Sequence, residues 1–486
     1  RNFLHLVADN PPKNISEFFI ILGLMFKVAL STAKALWFFI LNLRVFIVGP
    51  EDWSYARIIS GLSGIATIAL TYFFSFRYFK SKNIAFLSAI FLCLLPSHVF
   101  YSRLGMQESF STLLFLSAII IYVLFRKNIW SPFVTALLLF CVFSTNYRMI
   151  ISPIFIIAIE CYEAFSNKTK IDFQRMLICT GIFALIVILV GSLYGGINRQ
   201  VTFGWMMHQA QEAKEQGNVL SFLSYPYYTF ILEGLFFALI FWSNLYLVFK
   251  KQWPKLLPFI LVLIQMGLFS FAAEKGARYI CVLLPMMAVA GAVALDYFLS
   301  SSIKKIYLYG LIALTCISML IISLEIMNSK TDYQLAVESI LRLDPNAKIL
   351  ATQPLVEQLY IKDEKNIQEC PKNLQDFISF YKQGFRYLIL DPQVYISWTK
   401  DTRRFSPPLI DFLEYIKDNV KPLQSFAHLN KLTMERFVLD HNQNLSKSIE
   451  FLSEANKFQY GEIRVYDVQE CLLMLKKQAL QAPGVN

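Results

Sequence analysis

Ten long apolar stretches fill the middle of this chain, at residues 58–76, 84–100, 110–125, 130–143, 149–159, 176–194, 227–249, 256–273, 279–299 and 306–324. Stretches of this kind cross or nearly cross a hydrocarbon layer about 30 Å thick, so the pattern predicts about ten transmembrane helices. Charged residues make up only 16% of the chain, against about 25% in an ordinary soluble domain. The hydrophobic share is 56%, with 44 Phe, and the mean hydropathy is +0.48. Lipid as solvent explains that excess better than one large core. Charge returns in a block after Asn328, so two regions meet two solvents.

The connections fix an orientation. Arg77, Lys80 and Lys82 form one basic group, Arg126 and Lys127 a second, Lys168, Lys170 and Arg175 a third, Lys250, Lys251 and Lys255 a fourth, and Lys304 with Lys305 a fifth. By the positive-inside rule these face the cytoplasm. The formal charge of +11 is thereby a matter of topology, and no nucleic-acid partner is implied. The remaining connections, 101–108, 146–148, 195–226 and 274–278, face outside together with residues 1–54 and everything after Leu324. An outer N-terminal segment of that length needs a span or signal before it, so at least one transmembrane helix is expected upstream of Arg1. Within it, 18–30 and 35–48 are apolar but short, and Lys27, Lys34 and Arg44 punctuate them. They read as helices lying in the outer interface, or alternatively as a tight transmembrane hairpin.

After Asn328 the periodicity switches. Helices are expected at 332–343, 374–383 and 409–419, and strands at 347–352, 387–391 and 463–468. The fold class is therefore an α-helical polytopic membrane protein with a C-terminal extracytoplasmic α/β domain, divided as 1–54, 55–325 and 326–486. The α/β part has no glycine-rich phosphate loop. Six of the eight cysteines lie in apolar runs, and Cys370 and Cys471 in the α/β part are either two free thiols or one disulfide. No CxxC or zinc-type spacing occurs.

Ionisable residues at the edge of apolar depth are costly and therefore informative. At the outer surface they are Arg103 and Glu108 in the 101–108 loop, Arg278 with Tyr279 ahead of the 279–299 run, and Lys34 between the two short apolar segments. Each also has a plainer reading: Glu108 as a first-turn acid, Lys34 as a snorkelling lysine, Arg103 as a headgroup anchor, and Arg278 with Tyr279 as an interfacial pair. In the long outer loop His208 and Glu212 stand at i and i+4, a spacing that suits two ligands of one divalent metal. Asp9 precedes Pro11-Pro12 and reads as a turn residue.

Three segments in order carry a resemblance. They are Trp53-Ser54-Tyr55-Ala56-Arg57-Ile58-Ile59-Ser60-Gly61-Leu62, then Leu95-Pro96-Ser97-His98-Val99-Phe100-Tyr101-Ser102-Arg103 with Glu108, then Ala277-Arg278-Tyr279 before Leu283-Leu284-Pro285. Together they resemble the GT-C superfamily of membrane glycosyltransferases, in the branch of the protein O-mannosyltransferases and the lipid A aminoarabinose transferase. The resemblance implies a polyprenyl-phosphate sugar as donor, an acidic residue of the first outer loop as catalytic base or orienter, and outer-surface cations for the donor phosphate. On it, Lys34, followed by Ala35-Leu36-Trp37, matches the phosphate-binding lysine, although the family's two following prolines are absent. The family's acid pair falls just before Arg1, leaving Asp9 and Glu108 as the acids at hand. Arg103, Arg199, Arg278 and Tyr279 are the implied phosphate contacts.

The implied function is transfer of that sugar to an extracytoplasmic protein, lipid or glycan acceptor, in a multi-pass plasma (inner) membrane protein serving the cell envelope. Its partners are the bilayer, the lipid-linked sugar and a protein or glycolipid acceptor, and its one possible cofactor is a divalent metal. The alternatives are a non-catalytic scaffold subunit of the same fold, or a lipid-linked sugar transporter. The spans lack the interrupted pairs and midplane charges of a transporter.

Overall fold

A computed structural model describes the chain apart from residues 1–6, 8–10, 13, 31–33, 48, 50–53, 169, 194–222, 272–275, 301–304, 353–356, 362–363, 371–373, 392–412, 414, 428–429, 441–461 and 482–486. It divides into two units, Arg1–Met327 with Gln443–Leu445, and Asn328–Asn442 with Ser446–Asn486.

The first unit is helical because its apolar runs have no other way to pair their backbone groups in lipid. Six helices are long and apolar enough to cross a membrane, or seven if Lys82–Leu94 and Pro96–Arg103 count as one span bent by 55°. Of the expected ten, these six or seven are found by length and composition among the described residues, and the rest are not confirmed. Ala35–Phe46, Ser131–Thr145, Leu235–Phe249 and Leu257–Ser270 are apolar but only 10–17 residues long. At 1.5 Å per residue none of them covers a hydrocarbon core of about 30 Å unaided. The 55° bend has a local cause. Pro96 follows Leu95, which is extended (φ −62°, ψ 115°), as the residue before a proline prefers.

Small residues decide the packing centre. Leu284–Leu299 carries Ala288, Ala290, Gly291, Ala292 and Ala294, all buried, and it packs against Lys82–Leu94. A Cβ on Gly291 would lie 3.1 Å from the Phe237 ring and 3.5 Å from that of Phe91, the close approach that small residues allow between membrane helices. Gln107–Leu124 packs against Ser54–Phe79 and Ser131–Thr145. Glu160 ties three further segments together: it pairs with Arg126 at 2.5 Å and Arg175 at 3.0 Å and is itself fully buried. The Arg175 guanidinium also donates to the Tyr122 carbonyl.

The short N-terminal segments are helices, Ile15–Leu30 and Ala35–Asn42, the second continued by a 3-10 turn over Leu43–Phe46. Trp37, Leu41, Tyr55 and Ala56 form one apolar cluster with Phe110 packed on it. That cluster seats the Lys34 end of the second helix beside the start of Gln107–Leu124.

The second unit holds a five-stranded sheet in the order β2-β1-β3-β5-β4, with β1 Lys348–Ala351, β2 Ile367–Glu369, β3 Phe385–Leu390, β4 Gln424–Ala427 and β5 Glu462–Asp467. β1 runs parallel to β2 and β3, while β5 runs antiparallel to β3 and β4. Helices Tyr333–Leu343, Leu374–Lys382, Lys431–Asp440 and Val468–Gln481 accompany it. Cys370 and Cys471 are both free and buried, in one apolar core cluster.

Candidate active site

Four separate stretches of the first unit bring charge to one place. Lys34 caps the start of Ala35–Asn42. Glu108 lies in the first turn of Gln107–Leu124 and is 1% exposed. Arg148 sits in the 3-10 turn Tyr147–Ile151. Arg278 and Tyr279 open the 3-10 segment Ala277–Leu283. The three other charges all act on Lys34. Burial lowers the pKa of its ammonium, the Glu108 carboxylate opposes that, and the Arg148 and Arg278 guanidinium groups lower it again, for a net fall below the ordinary lysine value.

Each side chain is held by a local device. Gln107 Nε2 donates to Glu108 Oε1 at 2.9 Å. The turn before Glu108 is fixed by Ser60, whose hydroxyl donates to the Met106 carbonyl at 2.7 Å. Gly105 adopts φ +68°, and a Cβ there would meet the Arg57 backbone nitrogen at 3.1 Å, so glycine is required twice over. Thr112 donates to the Glu108 carbonyl at 2.8 Å and lies 3.2 Å from the Cys281 carbonyl, which links the Glu108 helix to the Arg278 segment. Gln265 donates to the Tyr279 carbonyl at 2.6 Å.

Arg148 is the residue that the sequence reading missed. Its guanidinium carbon stands 4.4 Å from the centre of the Tyr279 ring and 5.0 Å from that of Tyr147, and the residue is 8% exposed. An arginine between two aromatic faces keeps its charge and plane while giving up water. The sequence signal was present in Asn146-Tyr147-Arg148, a short connection with an arginine beside an aromatic residue.

Of the residues singled out from sequence, Lys34, Glu108, Arg278 and Tyr279 come together. The Arg103 guanidinium instead donates to the Ile326 carbonyl and has Arg57 as a neighbouring cation. Asp9, Arg199, His208 and Glu212 lie outside the described residues. Among the described residues no group of three or more His, Cys, Asp or Glu side chains is placed to hold a metal ion.

No family model matches the chain, and no curated protein matches it in sequence. Several solved structures are similar in fold. The oligosaccharyltransferase of Archaeoglobus fulgidus, tethered to an acceptor peptide, aligns over 78% of this chain and 63% of its own at 11% identity and a TM-score of 0.49. ArnT from Cupriavidus metallidurans aligns over 77% of this chain and 88% of its own, at 12% identity and a TM-score of 0.49. The archaeal enzyme AglB in complex with an inhibitory peptide and a dolichol-phosphate aligns over 76% of this chain and 61% of its own, at 12% identity and a TM-score of 0.46. These neighbours are GT-C glycosyltransferases. The chain spans about three fifths of the length of the oligosaccharyltransferase, and at these TM-scores the reading of the site rests on its own residues.

Proposed function

We propose that this chain transfers a sugar from a polyprenyl-phosphate donor to an extracytoplasmic acceptor. The observation that carries the reading is the gathering of one buried carboxylate, Glu108, and two further cations, Arg148 and Arg278, around Lys34. In such a transfer an acceptor oxygen attacks the anomeric carbon, the bond from that carbon to the phosphate oxygen breaks, and polyprenyl phosphate leaves with the electron pair. Charge grows on the phosphate as the bond breaks, so cations preorganised there stabilise the transition state more than the ground state. Glu108 takes the proton of the acceptor hydroxyl or amine, or orients that group. Tyr279 supports both arginines through its ring. The resemblance of the sequence to GT-C enzymes agrees with this chemistry, and the apolar spans agree with a donor that arrives in the membrane.

The experiment is Lys34→Ala and Arg278→Ala in full-length protein, assayed by release of polyprenyl phosphate from a radiolabelled lipid-linked sugar. Loss of one charge-assisted contact of this kind costs about 3 kcal/mol, or roughly a hundredfold in rate. Unchanged turnover in both folded variants removes these residues from the donor site. The basic connections support an active face and an α/β unit outside the cytoplasm. A reporter active only outside, fused after Gln478, tests that side, and activity of a cytoplasm-only reporter there reverses the orientation.

A further inference from the structure

Two helical stretches of the first unit are broken, and the breaks meet. The first break, between Lys82–Leu94 and Pro96–Arg103, is the bend of 55°. The second lies between Ser224–Glu233 and Leu235–Trp242, where Gly234 adopts φ +88°, an interruption that the apolar run 227–249 did not predict. Glu233 is buried, and its Oε2 accepts the Ser97 backbone N–H at 3.2 Å. Pro96 occupies the start of Pro96–Arg103 and has no N–H of its own, so the Ser97 amide is among the first that the helix cannot pair internally. An acid is favoured at that end of the helix dipole.

The other groups freed by the bend are held as well. The Ser323 hydroxyl, from Lys305–Asn328, donates to the Leu94 carbonyl at 2.8 Å. At the far end of Pro96–Arg103 the Arg103 guanidinium donates to the Ile326 carbonyl of that same long helix. The eight-residue helix is thus gripped at both ends. Ser102, near its end, receives the Glu108 helix: the Ser109 hydroxyl, one residue beyond Glu108, donates to Ser102 Oγ at 3.2 Å. On the side of Ser54–Phe79, a Cβ on Gly64 would lie 2.4 Å from Ser102 Oγ and 3.0 Å from its Cβ, so Ser102 sits in a slot that only a glycine leaves open.

We propose that Glu233 is a positioning residue for the transfer. It fixes the angle of Pro96–Arg103, and through Ser102 and Ser109 that helix fixes where the Glu108 carboxyl stands. The proposal rests on the transfer reading given above. Glu233 acts through the Ser97 backbone and not on the substrate, while Lys34, Arg148 and Arg278 stand on other segments. Loosening the bent helix therefore moves the acid and leaves the phosphate cations in place.

The test uses the full chain in detergent and reads two quantities, the rate of polyprenyl phosphate release at saturating donor and the equilibrium affinity for radiolabelled polyprenyl phosphate. A misplacement of about 1 Å costs about a hundredfold in rate, so Glu233→Ala slows release by about that factor with the affinity unchanged. Glu233→Gln keeps an oxygen for the Ser97 amide and recovers most of the rate. If Glu233→Ala does not fold, Glu233→Asp, one methylene shorter, shows the same split. Ser109→Ala loses one neutral hydrogen bond and slows release about threefold to tenfold. The double variant is no slower than Glu233→Ala, because both changes break one linkage. Rate and affinity lost together, or rate losses that multiply in the double variant, overturn the proposal. A second readout needs no activity. In the Ser102→Cys, Ser109→Cys variant an oxidant closes a disulfide between the two positions, detected by mass spectrometry because trypsin cuts after Arg103, and adding Glu233→Ala slows its closure. Closure indifferent to Glu233 overturns the linkage. Closure under Glu233 control in a protein that releases no polyprenyl phosphate keeps the linkage and overturns the transfer reading.

Discussion

Replacing Arg148 by alanine tests the site at the point where structure added most to sequence. The side chain is 8% exposed and lies over Tyr279 at 4.4 Å and Tyr147 at 5.0 Å. Two losses follow, and they separate. The donor phosphate loses one preorganised cation, which costs about 3 kcal/mol in the transition state and slows turnover roughly a hundredfold. The fold loses two desolvated cation–π contacts, each worth up to about 2 kcal/mol, which lowers the melting midpoint. Arg148→Lys keeps the charge and gives up the planar stack, so it recovers most of the rate and little of the stability. The assay is single-turnover release of polyprenyl phosphate at saturating donor, with size-exclusion profiles to confirm that each variant is folded. A folded Arg148→Ala enzyme that turns over within about threefold of wild type refutes the placement of the phosphate among Lys34, Arg148 and Arg278.

Glu108→Gln keeps the Gln107 contact and most of the shape but cannot take a proton, so turnover falls by about two to four orders of magnitude with little change in melting, read by the same release assay. Glu160→Ala strands Arg175 and Arg126 in the first unit, which costs about 3–5 kcal/mol and appears as a lower thermal midpoint in detergent. The α/β unit loses stability as pH rises. The Glu357 carboxyl is raised from 4.5 to about 9 in the fold, so its proton stabilises the native state below the unfolded value, and that contribution is lost on ascending toward 9, by a few kcal/mol. Glu357→Gln flattens this slope, measured by denaturant titration between pH 5 and pH 9.

Much of the first unit was legible because apolar runs, basic connections and a proline after Leu95 each have one physical consequence. Span number was less so. Leu257–Ser270 reads as a full span in the sequence only because the apolar residues flanking it extend the run, whereas the helix itself is 14 residues long. In the α/β unit, β1, β3 and β5 were visible as strands, β3 as a buried one. β2 was not, since three residues carry no periodicity, and neither was β4, whose Gln424–Ala427 is mostly exposed. At the site, Lys34, Glu108 and Arg278 stood out as charges beside apolar runs. Arg148 did not, because its importance comes from two aromatic rings, one of them distant in the chain.

Arg148 also owes its position to a helix that stops early. Ser131–Thr145 has 15 residues, about 22 Å, and so falls roughly a turn and a half short of the hydrocarbon thickness. Asn146 is then extended (φ −138°, ψ 98°), and the 3-10 turn that follows leads straight into Pro153–Asn167. Irregular backbone at that depth persists only where protein or water covers it. On the orientation the basic connections imply, the shortfall sets the Arg148 turn below the outer membrane surface, a hydrophobic mismatch turned to use. On the proposed function, solvent reaching that depth would give a proton taken up by Glu108 a way out to the bulk after each transfer, with no proton path across the bilayer.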